Sequence, residues 1–177
     1  MFYAPINNPA LKRPFRPIYA QHQATPYAGF LDPNWNRSFD IYPGTVMCRL
    51  TKEIFTPYVG SGNQKPFGLS AFFVAPQLGV DEVTATGTNL YTVWRGGEQA
   101  VAEILAPAFD QTANWTSANV TDGGVQLLTA TSTGLLTPTG ANNQNAIAEL
   151  IDVESTNKIL ISMLRFNLST AATVGPV

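Results

Sequence analysis

Residues 66–105 read PFGLSAFFVAPQLGVDEVTATGTNLYTVWRGGEQAVAEIL. Phe67 to Val74 is a nearly continuous apolar run, which predicts a strand covered on both faces. Asn89 to Trp94 and Glu98 to Leu105 flank Arg95-Gly96-Gly97. A Gly-Gly pair between two extended runs supplies the positive φ angles of a tight hairpin turn, so these two runs are expected to pair. EQAVAEIL is also rich in good helix formers, and a helix is its alternative reading.

Working outward, the same β pattern recurs. In GTVMCRLTKEIFTPYV, from Gly44, the residues Val46, Cys48 and Leu50 fall on one face and Met47 and Arg49 on the other, the period of a half-buried strand. Pro57 restricts the next extended piece to a sheet edge or a bulge. Gly60 to Pro66 is a loop by its turn residues, and Gln77 to Gly87 is a polar connection. Beyond Pro107 the chain is polar until Val125–Thr131, a strand, and Gly134–Thr137, a short one. AIAELIDV and KILISMLRF then form two runs around Glu154-Ser155-Thr156-Asn157, which reads as a four-residue hairpin loop. Seven to nine short strands with no secure helix give a mainly β protein, a small barrel or sandwich.

Residues 1–43 read as an extended arm ahead of a β-rich body at 44–177. Pro5, Pro9, Pro14, Pro17, Pro26, Pro33 and Pro43 recur too often for a helix. Aromatic residues sit among them, unlike a solvated linker, so the arm should lie on something. Its own domain and a neighbouring subunit are the two possibilities. A body lacking residues 1–40 is expected to stay folded.

The whole chain has 177 residues, enough to bury a real core. Only 12% are charged, about half the usual share, which suits a surface that ends up packed against neighbours. Through Asp40 there are four basic and two acidic side chains; the remainder has six basic and ten acidic. Three basic residues ahead of Asp32 are too few for a phosphate-neutralising patch, so no nucleic-acid partner is expected. No secretion leader and no membrane span are read.

Chemistry finds little support. His22 stands between two glutamines without an acidic partner, and Cys48 alternates with apolar residues as a buried thiol does. Gly60-Ser61-Gly62-Asn63-Gln64-Lys65-Pro66 lacks the Gly-Lys-Ser/Thr ending of a phosphate loop. Glu149, Asp152 and Glu154 read as a solvated strand edge. No catalytic residue, cofactor or metal site is expected.

Together, the Pro/aromatic arm, the Gly-rich loop into KPFGLSAFFVAP, VWRGGEQAVAEIL and AIAELIDVESTNKILISML resemble the capsid decoration, or cement, proteins of tailed bacteriophages. The resemblance spans Gly44 to Phe166. It implies a β-tulip-like body, grouped in threes on the outer surface of the virion head. There the major capsid protein is the partner, subunit junctions are the binding place, and stabilising the shell is the task. It transfers no catalytic residues. From the arm's chemistry, Arg13, Phe15, Arg16, Ile18, Tyr19, Tyr27 and Trp35 are the expected contacts with capsid or neighbour. A tail-tube or head–tail connector subunit is the alternative, and a carbohydrate-binding β-sandwich using Trp94 or Trp115 the second.

Overall fold

Val46, Met47 and Cys48 are all buried, although a strand with one wet face would expose every second residue. Two separate cores explain this. Met47 belongs to one cluster with Leu31, Phe55, Tyr91 and Val93, while Val46 and Cys48 belong to another with Leu69, Ile104, Ile159 and Ile161. The strand carrying these residues is therefore a shared wall.

The computed structural model describes residues 15–20, 23–35, 39–59, 64–74, 91–96, 100–115, 126–138 and 146–163. These form ten strands: β1 (Thr25–Leu31), β2 (Val46–Arg49), β3 (Ile54–Pro57), β4 (Pro66–Ser70), β5 (Tyr91–Arg95), β6 (Ala100–Leu105), β7 (Leu127–Ala130), β8 (Leu136–Pro138), β9 (Ala148–Ser155) and β10 (Lys158–Met163). The protein is mainly β, as expected. Strands β1-β3-β2-β4-β5 close into a barrel, and β6-β10-β9-β7-β8 form a five-stranded sheet. The first core fills the barrel; the second lies between the barrel's β2-β4-β5 side and the sheet.

Barrel closure depends on β1, which lies inside the stretch read as an arm. It pairs in parallel with β3 (Phe30 with Ile54, Leu31 with Phe55) and antiparallel with β5 (Thr25 with Arg95 through Gly29 with Tyr91). Removing residues 1–40 would delete this strand and its buried Leu31, and with them the pairing that closes the barrel. Pro57 sits in β3, which has a neighbour on each side. Its missing amide is tolerated because the pairing with β1 stops at Phe55.

In β4 every residue after Pro66 is buried, as the apolar run requires. A register shift opposite Met47 and Cys48 departs from simple alternation there. Leu69 enters the inter-layer core, whereas Phe67, two residues earlier, belongs to the barrel core. The ring of Phe67 meets Tyr27 edge-on, with centroids 5.1 Å apart, and carries the guanidinium carbons of Arg49 and Arg95 at 5.2 and 5.0 Å from its centroid.

The Gly-Gly hairpin is not what forms. Strand β5 pairs with β1 and β4, and β6 pairs with β10, so the two runs belong to different layers. Both edges of β5 are already taken in closing the barrel. Gly96 instead allows a close approach: a Cβ there would collide with Cβ of Met163 and lie 3.1 Å from its carbonyl carbon and oxygen. Within EQAVAEIL the described residues Ala100–Leu105 are strand rather than helix, with Ala100, Ala102 and Ile104 facing the core; Glu98 and Gln99 lie outside the described residues.

The hairpin of β9 and β10 does form, with Ser155 opposite Lys158 and a tighter loop than expected. Its register shifts twice, between Lys158 and Ile159 and between Leu160 and Ile161. Leu150 pairs with buried Ile161, whereas Asp152 pairs with Leu160 and is exposed. The sheet's two outer edges are both covered. At β6, Ile18 N–H donates to the Val101 carbonyl at 2.7 Å and Val101 N–H donates to the Tyr19 carbonyl at 3.2 Å. At β8, Phe109 bridges Leu136 and Asp110 N–H donates to the Leu136 carbonyl at 2.8 Å.

Candidate functional site

Among the described residues, Cys48, Lys158 and Asp110 are each held by burial or by neighbouring side chains. Cys48 is buried, and burial pushes its thiol up to about 12, so it is inert as a nucleophile near neutral pH. Glu154 and Glu103 flank Lys158 as ion pairs, the Glu103 contact at 3.5 Å, and raise its pKa, the Glu154 hydrogen bond contributing most. The Asp110 carboxylate is held below its usual range mainly by the Thr112 hydroxyl. Among the described residues no three His, Cys, Asp or Glu side chains are grouped to hold a metal ion. No helix there is long and apolar enough to cross a membrane. His22 lies outside the described residues.

The two tryptophans considered as sugar platforms serve the core. Trp94 packs against the inter-layer cluster. Trp115 donates its indole N–H to the Asp110 carbonyl at 2.7 Å and meets Phe109 edge-on.

What stands out is a strap, residues 15–19, laid from barrel to sheet. Phe15 N–H donates to the Ala71 carbonyl at 2.8 Å, just beyond β4, and its ring is buried in the inter-layer core. At the other end, Ile18 and Tyr19 hydrogen-bond through their backbones to Val101. Pro17 between them restricts φ and has no amide to leave unpaired. The backbone is thus anchored at both ends, while Ile18 is 44% exposed and Tyr19 67% exposed. Arg16, also exposed, lies between the anchors. Phe72, beside the Ala71 anchor, is 38% exposed. Three of the four exposed large hydrophobic side chains among the described residues therefore belong to this strap and its anchor; Leu50 is the fourth.

The expected contact residues divide accordingly. Phe15 and Trp35 are buried in the protein's own cores, and Tyr27 is half-buried against Phe67 at the barrel. Arg16, Ile18 and Tyr19 face outward, and Arg13 lies outside the described residues. Phe72 was missed because nothing in the run FGLSAFFV separates one outward aromatic from its buried neighbours. The departure from strand geometry after Ser70 turns it out.

A family model described as phage cement protein matches residues 1–176. The chain belongs to the phage cement protein family. The cement protein's role is structural, and its association is with the capsid of the virion. No curated protein matches the chain. The match takes in both strap and body, and the strap at residues 15–19 and strand β1 are built into the cement protein's two layers.

Proposed function

We propose that this cement protein decorates the outer surface of the phage head, binds the major capsid protein where capsid subunits meet, and clamps the shell as a group of three copies. The observation that carries this reading is the strap, whose anchored backbone leaves Arg16, Ile18 and Tyr19 exposed, with Phe72 exposed beside the Ala71 anchor. Ordering costs oppose binding, and a backbone already fixed by hydrogen bonds at both ends leaves little left to order. Tyrosine and phenylalanine supply large contact area with few rotatable bonds, and an arginine beside them can meet a carboxylate of the shell. Arg13 is assigned the same electrostatic part as Arg16.

Cementing needs no reaction. Each copy that spans a joint adds one contact on either side, and many modest contacts sum through effective concentration. Adding the purified protein to heads that lack it tests the reading: decoration should be saturable and should raise the temperature at which heads release DNA. Ile18→Asp with Tyr19→Asp should abolish both effects while the protein stays folded. Gold-labelled antibody should lie over the head; label confined to the tail or neck would sink this reading in favour of a tail subunit.

A further inference from the structure

Ten of the fourteen Asp, Glu, Lys and Arg side chains among the described residues fall into two groups of opposite net charge, one on the barrel and one on the sheet; Arg16, Asp32, Asp40 and Asp110 lie outside both. Around one end of the barrel lie Arg49, Lys52, Lys65 and Arg95, with Glu53 as the acidic residue among them. On the outer face and margin of the sheet lie Glu103, Glu149, Asp152 and Glu154, with Lys158 as the basic one. Ile159 and Ile161 point from β10 into the inter-layer core, so the side of the sheet that carries Leu160 faces away from the barrel.

Each surface also has a leucine between its charges. On the barrel, Leu50 is 49% exposed at the tip joining β2 to β3. The tip is preorganised: Arg49 Nε donates to the Thr51 carbonyl at 3.0 Å, one of its terminal nitrogens donates to the Lys52 carbonyl at 2.6 Å, and Leu50 N–H donates to the Ile54 carbonyl at 2.9 Å. On the sheet, half-buried Leu160 is in register with Glu103 on β6 and Asp152 on β9. A rigid apolar tip rimmed by basic groups thus has its counterpart in an apolar point rimmed by acidic ones. An apolar centre inside a charged rim is the anatomy of a protein–protein contact.

We infer that the outer face of the sheet is the docking surface for the Leu50 barrel tip of a second copy of this chain. The contact is head to tail, joining different surfaces on the two partners. Such a contact propagates, and it closes into a ring when the rotation between copies allows. The inference deepens the proposed grouping in threes and is independent of attachment to the shell.

The test uses the purified full chain without capsid, followed by light scattering after size separation. Wild type should assemble at low salt and dissociate at high salt, with affinity falling at least about tenfold as the charges are screened. Lys52→Glu with Lys65→Glu makes both surfaces acidic; Glu149→Lys with Asp152→Lys makes both basic. Each double variant alone should be monomeric, and an equimolar mixture should assemble again. Leu50→Asn, at an exposed tip, should weaken assembly by about tenfold without touching a charge. A monomeric wild type at low salt would overturn the inference, as would assembly that ignores salt and these variants. So would a mixture of folded variants that fails to assemble. Assembly in solution combined with failure to decorate heads would leave this contact standing and remove the proposed shell role.

Discussion

The hydroxyls of Ser70 and Tyr91 share a hydrogen bond inside the barrel, and both residues are buried. Ser70 Oγ also donates to the Phe72 carbonyl at 2.8 Å and accepts from Phe72 N–H at 3.2 Å, so the phenol is the donor to Ser70. Removing the serine hydroxyl strands a buried phenol; removing the phenol leaves the serine still paired. Ser70→Ala should cost about 1–3 kcal/mol and Tyr91→Phe about 1 kcal/mol or less from this bond, read as shifts in the urea midpoint. Because Ser70 holds both backbone groups of Phe72, Ser70→Ala should also weaken attachment to heads.

Phe15 and Tyr19 stand four residues apart on the strap and should separate stability from binding. Phe15→Ala empties a buried ring position and should destabilise by about 3–5 kcal/mol. Tyr19→Ala changes a side chain that is 67% exposed, so its thermal midpoint should stay within about a degree or two of wild type while head decoration falls. Equal effects of the two substitutions on stability would show that the tyrosine is packed rather than presented.

Gly96→Ala should destabilise by about 1–3 kcal/mol, because its Cβ would overlap Met163 and one strand or the other must shift. If the glycine were there for a turn alone, Gly96→Asn would be the mild substitution. The crossing geometry makes asparagine worse than alanine, and denaturant titration of both decides.

Alkaline pH should unfold the protein through groups that ionise only when exposed. Burial pushes the Cys48 thiol from 9.0 up to about 12. It also raises the Tyr91 phenol, against a smaller opposing effect of the Ser70 bond. The folded state holds these protons more tightly than the unfolded chain. Stability is therefore fully present below about pH 9 and declines as pH rises towards 12, by at most about 1.4 kcal/mol per pH unit for each group. Cys48→Ala should flatten the slope between pH 9 and 10, before tyrosines contribute. An unchanged slope would show that the thiol is not the group responsible.

The β class and the terminal hairpin were legible because alternation and turn residues are local signals. Partnering was not. Arg95-Gly96-Gly97 has the composition of a hairpin turn, yet the distant Thr25–Leu31 and Pro66–Ser70 strands claim both edges of β5. Thr25–Leu31 itself escaped notice because Pro26 and its neighbours resemble the rest of the proline-rich segment. Its pairing with Ile54–Pro57 and Tyr91–Arg95 reveals it as strand. Arg16, Ile18 and Tyr19 were picked for their chemistry, and their outward direction follows from backbone bonds to Val101 that no sequence pattern encodes. Phe15 had the same chemistry and went inward.

Closure of the barrel by β1 also orders events in time. During synthesis β1 emerges first, but β3 must follow before one of its sides can pair and β5 before the other can, with Thr25 waiting for Arg95. Contacts of such long sequence separation form slowly, after local hairpins such as β9–β10. The strap waits with it, since its anchors at Ala71 and Val101 lie far downstream. A chain cut short before Val101 therefore lacks the anchored strap, and under the proposed function it should fail to compete for places on the shell.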